Sequence, residues 1–293
     1  GISCCLYVAV YGTVGISLVV ESFLNGTNSF TLLAIPFFIL SGELMISGGI
    51  SQRLINFCMS LVKDRPGGLA IVTIIASMFF AAISGSGPAT VACIGGIMIP
   101  QMVRARYSKE FSTACAAAGG SLGPMIPPSI LFLLYGVATN TSVAKLFMAG
   151  VIPGILMGIA MIIIARKISI KEKYVPSAEV NAELQQVYAK GFWHNFREAI
   201  WALLVPIIIL GGIYTGIFSP TEASVVACVY ALFAGGFIYK ELTLKSLPGV
   251  FFRAAKGCSF IVIISFSTAF AKLLTLEGVT AAIADGVLSV TSN

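Results

Sequence analysis

The chain has 293 residues, 57% hydrophobic and 10% charged, with 18 Lys and Arg against 12 Asp and Glu and a mean hydropathy of +0.96. Soluble domains carry about 25% charged residues, so this composition belongs to an integral membrane protein and excludes most soluble enzymes. The net charge of +6 implies no nucleic acid, because the basic residues cluster between apolar runs, the pattern that marks a cytoplasmic face.

A helix needs about 20 apolar residues to cross the hydrocarbon core, and runs free of Asp, Glu, Lys and Arg show where that happens. Gly1 to Val20 and Ser22 to Gly42 each fit one span. Ile50 to Val62 places Leu54, Ile55, Cys58 and Leu61 at helical spacing and predicts an amphipathic arm at the interface. Pro66 to Val103 is then uncharged for 38 residues and Phe111 to Ala144 for 34. Each is too long for one span and too short for two with a loop, so both predict helices broken inside the membrane. Leu146 to Ala165 fits one span and carries Gly150, Gly154 and Gly158, a close-packing stripe. Ala199 to Thr221, Ala223 to Tyr239 and Gly257 to Ala271 predict further spans, with a second amphipathic arm over Leu242 to Phe252 around Pro248.

Placing the basic segment Arg166 to Arg197 in the cytoplasm sets the topology. Arg53, Lys63, Arg65, Arg104, Arg106 and Lys109 then also fall inside, as do the four basic residues of Lys240 to Lys256. Only Lys145 and Lys272 lie outside, so 16 of 18 basic residues share one side, as the positive-inside rule requires. On this assignment Pro66 to Val103 enters and leaves on the cytoplasmic side as a re-entrant hairpin.

Both breaks can be located. Ser84-Gly85-Ser86-Gly87-Pro88 centres the first long run, and Gly119-Gly120-Ser121-Leu122-Gly123-Pro124-Met125-Ile126-Pro127-Pro128-Ser129 lies near the centre of the second. Gly and Pro end helices. Backbone freed at membrane depth survives only in protein or beside a watery cavity, and in transporters such breaks form the substrate and ion site. An internal echo adds to this: Ser29 to Met45 followed by Gly49-Ile50 resembles Ser259 to Thr275 followed by Gly278-Val279. The copies run in opposite directions, as inverted repeats do, which predicts a second hairpin and a second break beyond Asn293.

Leu32-Leu33-Ala34-Ile35-Pro36-Phe37-Phe38-Ile39-Leu40-Ser41-Gly42-Glu43-Leu44-Met45, Ser84 to Thr90, Gly120 to Ser129 and Gly216-Ile217-Phe218-Ser219-Pro220-Thr221-Glu222-Ala223 resemble, in order, the large membrane subunit of tripartite ATP-independent periplasmic (TRAP) transporters. The resemblance implies a sodium-driven elevator transporter of the bacterial inner membrane. Its partners would be a small membrane (Q) subunit, a periplasmic substrate-binding protein and membrane lipid. The implied cargo is an organic anion such as a C4-dicarboxylate or sialic acid. A stand-alone divalent-anion and sodium symporter is the alternative, and a non-transporting scaffold is a third reading.

The expected fold is all-α integral membrane. Residues 1–165 form a first repeat with hairpin 66–103 and broken helix 111–144, and 166–198 form a cytoplasmic linker. Residues 199–256 hold scaffold helices and an arm, and 257–293 begin an incomplete second repeat.

Sodium is a hard cation served by carbonyl and hydroxyl oxygens. The candidates are Ser84 and Gly85 at the tip, Gly120, Gly123 and Ile126 through their carbonyls, and Ser41 on a neighbouring helix. An anionic substrate needs donors, which helix N-termini supply; Ser86, Pro88, Thr90, Ser121 and Ser129 are the substrate-binding candidates. No Arg or Lys lies near either break, so a carboxylate is held by dipoles, by sodium or by an arginine from elsewhere. Glu43, an acid in an apolar helix, is a further functional candidate. Ser219-Pro220-Thr221-Glu222 reads as a capping box.

Enzyme chemistry lacks its parts. Gly119 to Gly123 matches GxSxG without a strand-turn-helix setting, and the only histidine, His194, falls in the cytoplasmic segment beside Trp193 as an interfacial anchor. Neither a Ser-His pair nor a zinc-type cluster is present in the sequence pattern. The seven cysteines show no CxxC spacing and read as apolar packing residues.

Overall fold

A computed structural model describes residues 2–11, 15–62, 65–174 and 185–290, and every regular element among them is helical. The helices are α1 (Ile2–Tyr11), α2 (Ile16–Thr27), α3 (Ala34–Ser47), α4 (Ile50–Val62), α5 (Gly68–Ser84), α6 (Gly87–Thr90), α7 (Gly96–Arg104), α8 (Lys109–Gly120), α9 (Ile130–Thr139) and α10 (Val143–Lys171). They continue as α11 (Phe192–Tyr214), α12 (Pro220–Phe233), α13 (Leu247–Gly257), α14 (Ile261–Leu276) and α15 (Val279–Val290). Lys63 and residues 175–184 of the expected linker lie outside the described residues. Among the described residues five segments are long and apolar enough to cross a membrane: Phe30–Ser47, Val143–Lys171, Phe192–Tyr214, Pro220–Ile238 and Leu247–Leu276.

The chain divides into two compact units, residues 1–32 with 256–293, and residues 33–255. In the first, α2 packs along α14. Phe23 and Phe266 meet at 4.6 Å between ring centroids, and Gly26 lets the helices close: a Cβ there would lie 3.0 Å from Thr268. Cys4, Val8, Val19, Ala269 and Leu273 form the core.

In the second unit α3 lies along α12 and α4 along both α5 and α11. The main core gathers Ile55, Phe57, Cys58 and Met59 of α4 with Leu69, Val72, Ala76 and Phe80 of α5 and Met98 and Met102 of α7. α4 is therefore packed against α5 and α11 along most of its length. Its buried face includes Leu54, Ile55 and Cys58, whereas Leu61, expected on the same stripe, is 43% exposed.

Three expected boundaries move, each for a local reason. Gly1 to Val20 is not one helix: α1 ends at Tyr11, and α2 runs through Glu21 to Thr27, since Glu21 is exposed and needs no helix end to reach a polar environment. Ser22 to Gly42 is interrupted at Asn28, whose backbone N–H closes α2 on the Leu24 carbonyl at 3.1 Å, and the membrane-length segment starts at Phe30 instead. The arm around Pro248 begins at Leu247, because proline lacks an N–H and is tolerated in a first turn, not mid-helix.

Candidate functional site

The hairpin tip follows from four residues. α5 is apolar and buried over most of its length, and it stops at Ser84 because Gly85 turns left-handed (φ 61), its N–H donating to the Ala81 carbonyl at 2.9 Å. Ser86 caps α6, its Oγ accepting from the Ala89 N–H at 3.4 Å, with Pro88 in the first turn. The Thr90 hydroxyl donates to the Ser86 carbonyl at 2.8 Å and lies 3.4 Å from Ser84 Oγ. Ser84 Oγ also accepts from the Ser86 N–H at 3.4 Å. The return arm leaves through a π-turn, Val91–Gly95, a form that recurs at functional sites.

The break in the second long run is built by its prolines. α8 ends at Gly120, and the Met125 and Ile126 N–H groups both donate to the Leu122 carbonyl, at 3.0 and 2.8 Å. Pro124, Pro127 and Pro128 offer no N–H, and the Pro127–Pro128 peptide is cis. Ser129 restarts the chain as α9: its Oγ accepts from the Phe132 N–H at 3.3 Å and donates to the Pro124 carbonyl at 2.6 Å.

These two segments meet backbone to backbone. The Ile130 N–H donates to the Gly85 carbonyl at 3.2 Å. A Cβ on Gly123 would lie 2.6 Å from the Gly87 nitrogen, and one on Gly87 2.9 Å from the Gly120 carbonyl oxygen. A Cβ on Gly85 would strike the Pro128 carbonyl. Two glycines of the α10 stripe receive the break, Gly150 facing the Met125 carbonyl and Gly154 facing Ile126, while Gly158 faces Met78 of α5. From the other side a Cβ on Gly42 of α3 would lie 3.3 Å from Ser84 Cβ.

The cation candidates share one property. Ser84, Gly85, Gly120, Gly123, Ile126 and Ser41 are all buried. The first five belong to the tip-and-break contact. Ser41 stands next to Gly42 behind the tip, and its hydroxyl donates to the Phe38 carbonyl at 2.9 Å, leaving oxygen lone pairs to accept. This set of neutral oxygens suits a hard cation. Among the described residues no three His, Cys, Asp or Glu gather, so nothing there suits zinc-type coordination.

The substrate candidates divide. Thr90 and Ser129 are buried, Ser86 is half-buried, and Pro88 and Ser121 are exposed, with Ser121 Oγ donating to the Ala118 carbonyl at 2.8 Å. Sequence reasoning passed over Gly87, Val91 and Pro124, which lie in or beside the same motifs, and Gly42. It also passed over Ser77, which is buried against Gly119 and whose Oγ has no hydrogen-bond partner among the described residues. Only the mid-run position of Ser77 could have signalled it.

Other candidates acquire structural partners. Glu43 pairs with Arg253 at 2.8 Å, and the same guanidinium donates to Ser47 Oγ at 2.7 Å. Arg53 pairs with Glu241 at 2.6 Å, donates to the Gly49 carbonyl at 2.9 Å and lies 4.0 Å over the Tyr239 ring. His194 pairs with Glu198 at 3.1 Å, one turn along α11. All seven cysteines are free, and Cys4, Cys58, Cys93, Cys115 and Cys228 are buried as apolar packing predicts, whereas Cys5 is exposed.

Comparison with known proteins places this arrangement. A family model described as the DctM component of tripartite ATP-independent periplasmic transporters matches residues 1–293. The chain is 42% identical to the isethionate TRAP transporter permease protein DctMQ of Oleidesulfovibrio alaskensis, over 100% of this chain and 45% of that protein. It is also 42% identical to the C4-dicarboxylate TRAP transporter large permease protein DctM of Pseudomonas aeruginosa, over 92% and 62%. Identity to the sialic acid TRAP transporter large permease protein SiaM of Vibrio cholerae is 35%, over 98% and 66%. The chain thus spans about half to two thirds of the length of these relatives.

Proposed function

The chain belongs to the DctM component family of tripartite ATP-independent periplasmic transporters, integral membrane permeases rather than enzymes, and from that premise we propose that it carries an organic anion across the bacterial inner membrane with sodium as the coupled ion. The observation that carries this reading is the seating of the hairpin tip in the broken helix, where Gly85, Gly87, Gly120 and Gly123 bring two backbones into contact. Helix ends opened inside an apolar chain need a function to justify them.

The buried oxygens of Ser84, Gly85, Gly120, Gly123, Ile126 and Ser41 take the sodium, and the α9 terminus with the Ser86 hydroxyl offers donors to a carboxylate, joined by the Thr90 and Ser129 hydroxyls once these turn from the Ser86 and Pro124 carbonyls. Pro88 and Ser121, exposed beside the breaks, form the rim. Occupation of the oxygens organises the tip, and each ligand raises the affinity for the other by the same factor. Because the tip and the break interlock through backbone, they shift together as a rigid body. An elevator movement of the site against α11 and α12 fits that rigidity. The substrate class follows the relatives' named substrates, a C4-dicarboxylate, sialic acid or a similar acid. Delivery comes from a periplasmic binding protein with a small membrane subunit as the third component.

The test is uptake of labelled dicarboxylate and sialic acid into proteoliposomes holding the whole transporter, with and without an inward sodium gradient and an added binding protein. Ser84→Ala and Gly120→Val abolish uptake while leaving the protein in the membrane. Uptake indifferent to the sodium gradient removes sodium coupling, and uptake without a binding protein favours the stand-alone symporter.

A further inference from the structure

Two helices of the second unit end alike. Arg106 (φ 65) follows α7 and Lys173 (φ 51) follows α10, each in the left-handed position where glycine is the usual residue. The next residue in both cases is a tyrosine whose N–H reaches back five positions, Tyr107 to the Met102 carbonyl at 3.0 Å and Tyr174 to the Ser169 carbonyl at 3.3 Å. The tyrosines stack on each other at 4.4 Å, Phe111 joins Tyr174 at 5.6 Å, and the Tyr174 hydroxyl donates to Ser108 Oγ at 3.3 Å. Gly67 (φ 76) closes a third segment onto α10, where a Cβ would lie 3.5 Å from Arg166 Cα.

Segments around residues 67, 106 and 173 therefore converge on one end of this unit. Among the described residues the exposed cations there include Arg106, Lys109, Arg166, Lys167, Lys171 and Lys173, with Arg65 and Arg104 beside them, against the acids Glu110 and Glu172. The positive-inside rule accounts for the sign of each segment. It requires neither their convergence nor basic residues at two backbone positions suited to glycine.

Depth points to the partner. α10 has 29 residues and is about 44 Å long at 1.5 Å per residue, well over the hydrocarbon thickness of about 30 Å. Its turns beyond Ala165 thus stand at headgroup level, and there Ile168 and Ile170 are 38% and 50% exposed among the cations. Apolar side chains between basic ones at that depth suit a lipid boundary, with stems in the acyl layer and charges at the phosphates.

We propose that this surface docks anionic phospholipid of the cytoplasmic leaflet, the six cations engaging headgroup phosphates while Ile168 and Ile170 enter the acyl layer. The stacked Tyr107, Phe111 and Tyr174 hold the three segments in register for it. Each basic residue near an anionic surface contributes roughly fivefold to partition, so the site is strongly selective and sensitive to salt.

The test is competition between phosphatidylglycerol and phosphatidylcholine for the delipidated whole protein, read by native mass spectrometry at low and high salt. The expected result is at least a tenfold preference for phosphatidylglycerol, weakened by salt and brought near parity in Arg166→Gln/Lys167→Gln/Lys171→Gln/Lys173→Gln. The control Lys190→Gln/Lys240→Gln/Lys245→Gln/Lys256→Gln removes equal charge from elsewhere on the cytoplasmic side and keeps the preference. If the first variant fails to fold, Lys171→Gln/Lys173→Gln at the exposed helix end is read the same way, with a severalfold loss expected. Preference retained without the patch cations, or lost equally in the control, overturns the proposal.

Discussion

The turn at Ser219–Glu222 and the hairpin tip at Ser84–Thr90 start their helices with the same parts, a serine cap and a proline in the first turn. At the Ser219 turn the box closes on itself: the Glu222 carboxylate accepts from the Ser219 N–H at 2.7 Å, and Ser219 Oγ accepts from the Glu222 N–H at 3.3 Å. Nearby Gly216 (φ 75) has open space around it. At the tip the third helical residue is Ala89, which has no carboxylate to return, and Gly85 lies against the Pro128 carbonyl while its own carbonyl accepts from the Ile130 N–H. A turn that supplies its own acid is complete in its local sequence. One that lacks it is finished by another segment, and the proposed anion site draws on its N-terminal dipole.

Altering the glycines breaks this contrast most strongly. Gly123→Ala forces a methyl against the Gly87 backbone, which cannot swing aside as a side chain can, and costs about 3 kcal/mol by the usual overpacking scale. Gly216→Ala meets no neighbour and costs only the left-handed strain, about 1 kcal/mol. Thermal unfolding of the purified variants compares them, and equal losses break the distinction.

The cap serines come next. Ser129→Ala removes an N-cap and orphans the partly buried Pro124 carbonyl, an expected loss of about 2 kcal/mol, whereas Ser219→Ala loses a solvent-accessible cap at about 1 kcal/mol. Denaturant or thermal midpoints separate the pair. Uptake is lost with Ser129→Ala and retained with Ser219→Ala.

Ala89→Glu sharpens the comparison by giving the tip the acid that the Ser219 turn has. The new carboxylate can return to the Ser86 N–H as Glu222 does to Ser219, so stability changes by less than about 1 kcal/mol, yet anion uptake falls to background because the terminus is occupied. Glu222→Gln leaves uptake unchanged. Uptake surviving in Ala89→Glu removes the tip terminus from the site.

The smallest effect lies away from both turns. Burial pushes the Tyr107 hydroxyl up to about 12 from its ordinary 10, with the neighbouring Cys115 and Tyr174 adding to the rise. The folded state thus favours the neutral phenol, and its contribution is intact below pH 10 and lost as the pH climbs through 12. Unfolding followed over that window shows the decline, and Tyr107→Phe removes that part of it.

Much of the architecture was legible because its determinants are local. The lengths of the uncharged runs revealed two broken elements. Ser84 to Pro88 and Gly119 to Ser129 placed the breaks because glycine and proline act on their own backbone. The α10 glycine stripe and the capping box were readable in the same way. The failures came where a residue's effect depends on where it points. Glu21 leaves α2 unbroken because it faces outward, and Leu61 is exposed although its spacing put it on the buried stripe of α4.

The sequence by itself therefore determined that the chain is an all-helical membrane protein, where its two long uncharged runs break, and which stretches contain the candidate oxygens. Only the tertiary structure decided that Gly87 faces Gly123, that Ser41 stands behind the tip, that Pro88 and Ser121 are exposed while Thr90 and Ser129 are buried, and that Glu43 meets Arg253 across 210 residues. Helix ends are set by dihedral and hydrogen-bond preferences within a few residues, whereas pairing between distant segments depends on how the whole chain packs.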